Sequence, residues 1–247
     1  MCKMTNYAQI AKESRIKCLD LIYAAQTSHI GSNFSCADIM AVLFEKIDLD
    51  RDVFILSAGW KAAMLYYHLW RKGRITEDEL NSYCQDGSKF IGLAEPVCKD
   101  IMIAGGSMGL GLPGAVGLAL AKKLKGEEGK VYVLMSDGEL QCGTTWESAL
   151  IAAHHKLDNL KVIIDYNFLQ AMGRTKEILD IGNADSDWDQ FGTTLYQKFI
   201  GFGWNVMTVD GHNYDVIEQS VNFGFGESMP CVAIMKTTKG KGVPYME

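Results

Sequence analysis

Two polar residues that could bind a metal ion each follow an apolar run. Asp137 comes just after a predicted strand at residues 131–135, and Asn167 just after one at 160–165. The two are 30 residues apart, and parallel pairing would bring them to the same sheet edge. A carboxylate and an amide oxygen suit Mg²⁺, and Gly138 would let a phosphate approach the backbone at a helix N-terminus. A helix cap at Asp137 and a turn at Asn167 explain the same spacing.

A second phosphate-binding signal lies upstream, where Gly109, Gly111 and Gly114 form a G-x-G-x-x-G pattern that opens a predicted helix. Asp137 lies 23 residues beyond Gly114, close to the acidic position of a dinucleotide-binding fold. However, Asp137 is followed at once by Gly138-Glu139-Leu140, where a dinucleotide-binding fold predicts only loop. Glycines that pack a helix against a sheet give the same pattern. An NAD-binding oxidoreductase domain and a packing role therefore both remain open.

Helical and strand patterns alternate along the chain, and these elements would position the polar residues. The predicted helices are residues 10–25, 35–46, one ending at 70, 76–84, 113–124, 145–155, 190–202 and 214–223. The predicted strands are residues 53–56, 131–135, 160–165, 204–209 and 231–235. Capping-box patterns beginning at Ser35 and Thr76 mark two helix starts. The alternation predicts one α/β domain over residues 1–247, with a parallel sheet and helices on both faces.

Charge and cysteine content exclude several functions. The formal net charge of −6 is unfavourable for binding nucleic acid or an anionic membrane. Seven scattered cysteines without a C-x-x-C pair argue against a disulfide framework or structural zinc, and with the polar first residues they predict a cytoplasmic protein. Residues 101–121 carry no charge but include six glycines, so a buried turn and helix are expected there rather than a membrane span.

Several motifs closely resemble those of transketolases, and the resemblance covers nearly the whole chain. The motifs that carry it are His29-Ile30-Gly31-Ser32, Gly106-Ser107-Met108-Gly109, Asp137-Gly138-Glu139-Leu140-Gln141, Asp165-Tyr166-Asn167, Asp210-Gly211-His212 and Lys236-Thr237-Thr238-Lys239-Gly240. The central two resemble the family's thiamine diphosphate motif. The second resembles its glycine-rich turn, which accounts for the dinucleotide-like pattern.

The resemblance implies the fold of a thiamine diphosphate-binding domain and the amino-terminal subunit of a split transketolase-like enzyme. A partner chain would then carry the pyrimidine-binding and carboxy-terminal domains, in a dimer of heterodimers that is active only when assembled. The implied reaction is transfer of a two-carbon ketol unit from a ketose to an aldehyde, with thiamine diphosphate and Mg²⁺ as cofactors.

The resemblance also implies roles for individual residues. Mg²⁺ would be held by Asp137, Asn167 and the backbone oxygen of Leu169. The cofactor would be contacted by Gly138 at its diphosphate, by Gly106, Met108 and Leu169 at its rings, and also by Ser107, Glu139 and Asn167. His29 would face the substrate, with a hydrogen-bonded turn histidine as the alternative. Glu147 would belong to an interface network that couples two active sites, while His212 is expected to be a structural turn residue.

Departures from the family pattern lie close to these residues. Ser136 and Cys142 replace a usual glycine and glutamate, and Trp60 and Leu93 replace two usual histidines. Lys61 is expected to supply compensating charge beside Trp60. These changes make the mouth of the site less polar and favour a modified or nucleotide-linked sugar as substrate. The alternative is a catalytically weakened or regulatory subunit that retains cofactor binding.

Overall fold

The protein is described by a computed structural model over residues 5–181 and 194–247. The described strands form one parallel sheet in the order β1-β2-β3-β5-β4. The strands are β1 (Val53–Leu56), β2 (Val131–Ser136), β3 (Leu160–Tyr166), β4 (Asn205–Asp210) and β5 (Cys231–Lys236). Every predicted strand is confirmed to within one residue at each end.

Helices cover both faces of this sheet. They are α1 (Tyr7–Ala25), α2 (Ile30–Ser35), α3 (Ala37–Lys46), α4 (Ala62–Arg71), α5 (Glu77–Asn81), α6 (Gly111–Lys125), α7 (Gly143–His154), α8 (Thr175–Ile178), α9 (Thr194–Gly201) and α10 (Tyr214–Asn222). The 3₁₀ turns Gly59–Lys61 and Asp137–Gln141 follow β1 and β2. The start of the predicted helix 190–202 lies outside the described residues.

Alternate residues of each strand enter two separate hydrophobic cores, because successive side chains of a strand point to opposite faces. Leu134 and Ile163 pack with α1, α3, α4 and α10 in one core. Val133 and Val162 pack with α6, α7 and α9 in the other. The predicted parallel sheet with helices on both faces is therefore confirmed.

The two capping-box predictions have different outcomes. Thr76 caps α5 reciprocally with Glu79, as expected. The prediction at Ser35 is wrong, because α3 begins at Ala37 after the N-cap Cys36, and Ser35 instead ends α2. Its hydroxyl donates a hydrogen bond to Asp165 at 2.6 Å. The Ser35 side chain thus contacts a residue 130 positions further along the chain instead of capping α3.

The G-x-G-x-x-G segment packs elements together. The described residues 101–110 are loop rather than the strand that a dinucleotide site requires. A Cβ on Gly111 would lie 2.3 Å from Ser57, and one on Gly114 would lie 2.0 Å from Ile103. The packing interpretation is therefore correct, and the dinucleotide interpretation is wrong. None of the described helices is long and apolar enough to cross a membrane.

Candidate active site

The two predicted metal ligands lie side by side at the carboxyl edge of the sheet. β2 and β3 are paired neighbours whose register places Ser136 opposite Asp165. Asp137 follows β2 directly and Asn167 follows β3 directly. Asp137 is 1% exposed and Asn167 is 6% exposed, so both side chains are held inside the edge of the sheet.

Asp137 is a buried carboxylate with few compensating partners. Its oxygens accept hydrogen bonds from the Gly138 N–H at 2.9 Å and the Thr175 hydroxyl at 2.9 Å. Burial raises the pKa of Asp137 to about 6, and the charge of Asp165 adds to this shift. A buried carboxylate with a raised pKa is the environment in which a bound cation gains most from the interaction.

The arrangement fits a divalent cation that takes further oxygens from a ligand. Across residues 5–181 and 194–247, no three His, Cys, Asp or Glu side chains come together as a complete metal site. The Asn167 side-chain oxygen accepts a hydrogen bond from the Leu169 N–H at 3.1 Å, which turns the chain at Leu169 back towards Asn167. One carboxylate, one amide oxygen and a nearby carbonyl leave positions for phosphate oxygens and water, as Mg²⁺ prefers.

A cavity of about 640 Å³ opens above this edge. Seven of the predicted site residues line it: His29, Gly106, Met108, Asp137, Gly138, Asn167 and Leu169. Its lining also includes Trp60, Lys61, Leu93, Gln170, Met172 and Lys239. Most of the predicted site residues, which come from four distant segments of the chain, therefore surround one cavity.

Ser107, Glu139 and Glu147 lie outside the lining. Glu139 is fully buried behind the cavity, where its carboxylate accepts hydrogen bonds from Ser136 N–H at 2.9 Å and Gly109 N–H at 3.2 Å and from the Ser57 hydroxyl. Glu139 thus ties the glycine-rich turn to the end of β2. Glu147 is exposed on α7.

His29 occupies a strained turn at the cavity. Its φ of 73° is left-handed, and it directly precedes α2. Its carbonyl accepts hydrogen bonds from the Ser32 hydroxyl at 2.9 Å and the Asn33 amide at 2.9 Å. Partial burial and the charge of Lys239 lower the pKa of His29. The imidazole is therefore biased towards its neutral form, which can both donate and accept a proton.

Comparison with known proteins identifies the chain. The family profile described as "Transketolase, thiamine diphosphate binding domain" matches residues 6–247. The chain belongs to the transketolase family.

Its relatives include separate subunits and longer transketolases. It is 32% identical to one of the subunits of the apulose-4-phosphate transketolase of Phocaeicola vulgatus, a match that covers 96% of this chain and 84% of that protein. It is 31% identical to a 6-deoxy-6-sulfo-D-fructose transketolase subunit of Clostridium sp., covering 89% and 80%. The structure matches Campylobacter jejuni transketolase with a TM-score of 0.86 and 29% identity, covering 97% of this chain and 39% of that one.

These matches confirm the predicted family, fold, transferase class and cofactor. The chain is the thiamine diphosphate-binding domain of a transketolase-like enzyme, and it covers 84% and 80% of two relatives that are named as separate subunits. It spans about two fifths of the C. jejuni transketolase, 39% of that chain, and the names of the shorter relatives imply a partner. Transketolases use thiamine diphosphate with a divalent cation, and a buried Asp137 carboxylate whose described hydrogen bonds come from uncharged donors fits that requirement.

A buried ion pair beneath the transketolase site was only partly anticipated. Lys61 and Asp165 are both 0% exposed and form an ion pair. Burial lowers the pKa of Lys61, but the Asp165 carboxylate more than offsets this and raises it overall. The charge of Lys61, expected to serve a diphosphate, is therefore already engaged by Asp165.

Gln170 and Lys239 also line the cavity without having been predicted as site residues. Lys239 belonged to a recognised motif, which was the available signal, whereas Gln170 had none. The Lys239 ammonium donates to the Gln170 carbonyl at 3.4 Å. Trp60, Leu93 and Ser136 line the cavity, whereas Cys142 does not, so three of the four positions that depart from the family pattern are ones that a ligand would meet.

Proposed function

We propose that this chain and a partner chain transfer a two-carbon ketol unit from a ketose donor to an aldehyde acceptor. The observation that carries the proposal is the Asp137–Asn167 pair at the floor of a cavity of about 640 Å³. The retained metal-ligand pair favours a working enzyme over a weakened or regulatory subunit.

The metal end of the site would be built by three residues at the ends of two strands. Asp137 and Asn167 would supply side-chain oxygens to Mg²⁺, and Leu169 would supply its backbone oxygen. Binding the cation would compensate the buried carboxylate of Asp137. The hydrogen bond from Leu169 N–H to Asn167, 3.1 Å long, orients the turn that presents this carbonyl.

The diphosphate would lie over Gly138 with Lys239 beside it. Gly138 lines the cavity, and a Cβ placed on it would make only an ordinary contact with the Gln170 side chain at 3.5 Å, so the space over this backbone is open. Burial lowers the pKa of Lys239, while the Asp137 carboxylate opposes this shift. Gly106, Met108 and Leu169 would contact the cofactor's rings, and Ser107 and Glu139 would support the surrounding turns.

His29 would act on the substrate at the cavity mouth. When bound, thiamine diphosphate supplies the carbon nucleophile and the electron sink that carry the two-carbon unit between donor and acceptor. His29 would orient the substrate carbonyl or its hydroxyl groups and move a proton at the oxygen of that carbonyl. Because the pKa of His29 is lowered, its imidazole is neutral near pH 7 and can accept a proton from a substrate hydroxyl.

A partner chain would complete the site. Met108, Leu169 and Met172 surround the cavity and are 48%, 40% and 74% exposed, and such apolar rims mark contact surfaces. We infer a dimer of heterodimers in which residues 1–247 act as one domain. Glu147, exposed on α7, would join the network that couples two active sites.

The substrate would be a modified sugar rather than an ordinary sugar phosphate. Trp60 and Leu93 give the cavity an apolar wall that is poor in groups able to bind hydroxyls. Two relatives are named for apulose-4-phosphate and 6-deoxy-6-sulfo-D-fructose, both of which differ from common ketose phosphates. A nucleotide-linked sugar is the other form that this wall allows.

Isotope transfer in the assembled complex tests the proposal. The tagged chain would be isolated with its partner in thiamine diphosphate and Mg²⁺, then supplied with ordinary and modified ketoses labelled with ¹³C in the two-carbon unit. We expect the label to appear in a longer sugar when an aldehyde is added. Asp137→Ala should abolish both label transfer and calorimetric cofactor binding, while the exposed control Asp86→Ala should change neither.

Two results would contradict these expectations. A complex that binds the cofactor but transfers label from no donor would favour the regulatory interpretation. Unchanged cofactor affinity in Asp137→Ala would overturn the metal assignment.

A further inference from the structure

The segment that carries Lys239 to the cavity is fixed by contacts from separate parts of the fold. Thr237 donates its hydroxyl to Asp165 on β3, and Gly240 N–H donates to the Gly31 carbonyl at 3.0 Å. Between them, Thr238 N–H donates to the Nε2 atom of His212 at 2.9 Å. Residues 237–240, here called the Lys239 segment, are thus held on both sides of the lysine.

The contact with His212 specifies one protonation form of the ring. Thr238 N–H can only donate, so Nε2 of His212 must be the unprotonated acceptor. Nδ1 then carries the proton and donates it to the Asp38 carboxylate, 2.7 Å away. This is the arrangement in which a carboxylate fixes the tautomer of a histidine.

Asp38 is itself held firmly. It accepts hydrogen bonds from the Arg15 guanidinium at 3.0 and 2.7 Å and from the Tyr214 hydroxyl at 2.7 Å. Burial opposes ionisation of Asp38, but the hydrogen bonds from His212 and Arg15 outweigh it and lower its pKa to about 2. Arg15, Asp38 and Tyr214 belong to α1, α3 and α10. The position of the His212 ring is therefore fixed by packed helices rather than by a loop.

The Lys239 side chain has little freedom to adjust if its segment moves. A Cβ placed on Gly31 would lie 3.1 Å from Cγ of Lys239, so the lysine stem passes tightly over the backbone that follows His29. The ammonium reaches the Gln170 carbonyl at 3.4 Å. A shift of the backbone at Thr238 would therefore be transmitted to the ammonium.

We propose that His212 is a positioning residue: held by Asp38 with its proton on Nδ1, it fixes Thr238 and thereby places the Lys239 ammonium against the cofactor's diphosphate. This inference rests on the proposed function, which puts the diphosphate over Gly138. It replaces the expectation that His212 is only a structural turn residue.

Calorimetric titration of thiamine diphosphate with Mg²⁺ into the assembled complex tests the proposal. His212→Phe keeps a ring but removes both nitrogens, and should weaken cofactor affinity by about tenfold, the effect of one misplaced charged hydrogen bond. His212→Gln should restore affinity to within about threefold, because an amide carries a donor and an acceptor on one planar group. Failure of glutamine to rescue would contradict the positioning role.

A double variant separates positioning from general stabilisation. In a Lys239→Met background, His212→Phe should cause no further loss of cofactor affinity, because the group it positions has gone. Additive losses, or unchanged affinity in His212→Phe alone, would overturn the proposal. Should His212→Phe fail to fold, Asp38→Asn removes the charge that holds the tautomer and should weaken affinity in the same direction.

The proposed function is tested separately in the same titration. If Asp137→Ala abolishes binding while His212→Phe leaves it intact, only this inference fails. If Asp137→Ala leaves binding intact, the placement of the cofactor itself is wrong.

Discussion

The strand β3 carries a buried charged residue near each end, and the two ends satisfy these charges differently. Asp165, near the carboxyl end, pairs with Lys61 and accepts hydroxyl hydrogen bonds from Ser35 and Thr237. Lys161, near the amino end, donates instead to carbonyls at the end of α10. Both residues of β3 are 0% exposed. One strand thus holds an ion pair at one end and a charge compensated by dipoles at the other.

The contrast appears in the pKa values of the two lysines. The pKa of Lys61 is raised overall by Asp165, whereas burial lowers that of Lys161 to about 8. The described contacts of Lys161 are carbonyl oxygens and the rings of Phe223 and Phe225. Carboxylates are concentrated at the edge where the cavity opens, as expected where a cation and a diphosphate are to be bound.

Breaking the ion pair should have the largest effect on stability. Lys61→Met leaves Asp165 buried with hydroxyl partners only, and should lower the free energy of unfolding by about 3–5 kcal/mol. Chemical denaturation of the isolated chain measures this loss. Adding Asp165→Asn should recover most of it, since the uncompensated charge is then gone. If Lys61→Met has the same free energy of unfolding as the wild type, the Lys61–Asp165 pair does not stabilise the fold.

The sequence predicted that Asp137 and Asn167 would lie at one edge of the sheet, but not the network beneath them. Asp137 and Asn167 each follow an apolar strand, so their spacing carried the information. The ion-pair network combines Ser35, Lys61 and Asp165 with Thr237, which come from separate elements, and no local pattern links them. Ser35 was predicted to cap a helix because its local pattern matches a capping box. Nothing in the sequence indicates its contact with Asp165, 130 residues away.

The second prediction concerns Asp137, the carboxylate that has no such ion pair among its hydrogen-bond partners. Its pKa is raised from 3.8 to about 6, so the folded chain without cofactor binds this proton more tightly than the unfolded chain does. The wild type should therefore lose stability relative to Asp137→Asn as the pH rises from about 4 through 6, by on the order of 3 kcal/mol above pH 6. Denaturation curves of both proteins between pH 4 and 7.5 measure the difference.

Asp38→Asn is the matched control, with the opposite sign. The pKa of Asp38 is lowered to about 2, so its carboxylate stabilises the fold above the unfolded pKa. The asparagine variant should be less stable than the wild type at pH 7, and the difference should shrink as the pH falls towards 2. Parallel pH profiles for the two variants would refute the assignment of opposite environments.

Lys161→Met should have the smallest effect. The variant loses hydrogen bonds to the carbonyls of Ser220 and Phe223 at the end of α10, but it also removes a buried charge that no carboxylate among its described contacts compensates. We expect the free energy of unfolding at pH 7 to change by less than about 1 kcal/mol, with cofactor binding in the assembled complex unchanged. A loss as large as that of Lys61→Met would show that the two ends of β3 are equivalent.

We expect this chain to act as one half of a split enzyme and to hold the metal end of a shared cofactor. Native mass spectrometry of the tagged chain, isolated with thiamine diphosphate and Mg²⁺ present, tests it most directly. We expect equal numbers of this chain and one second chain, two of each, with one cofactor per pair that is lost in Asp137→Ala. A homo-oligomer that binds the cofactor without a second chain would contradict it.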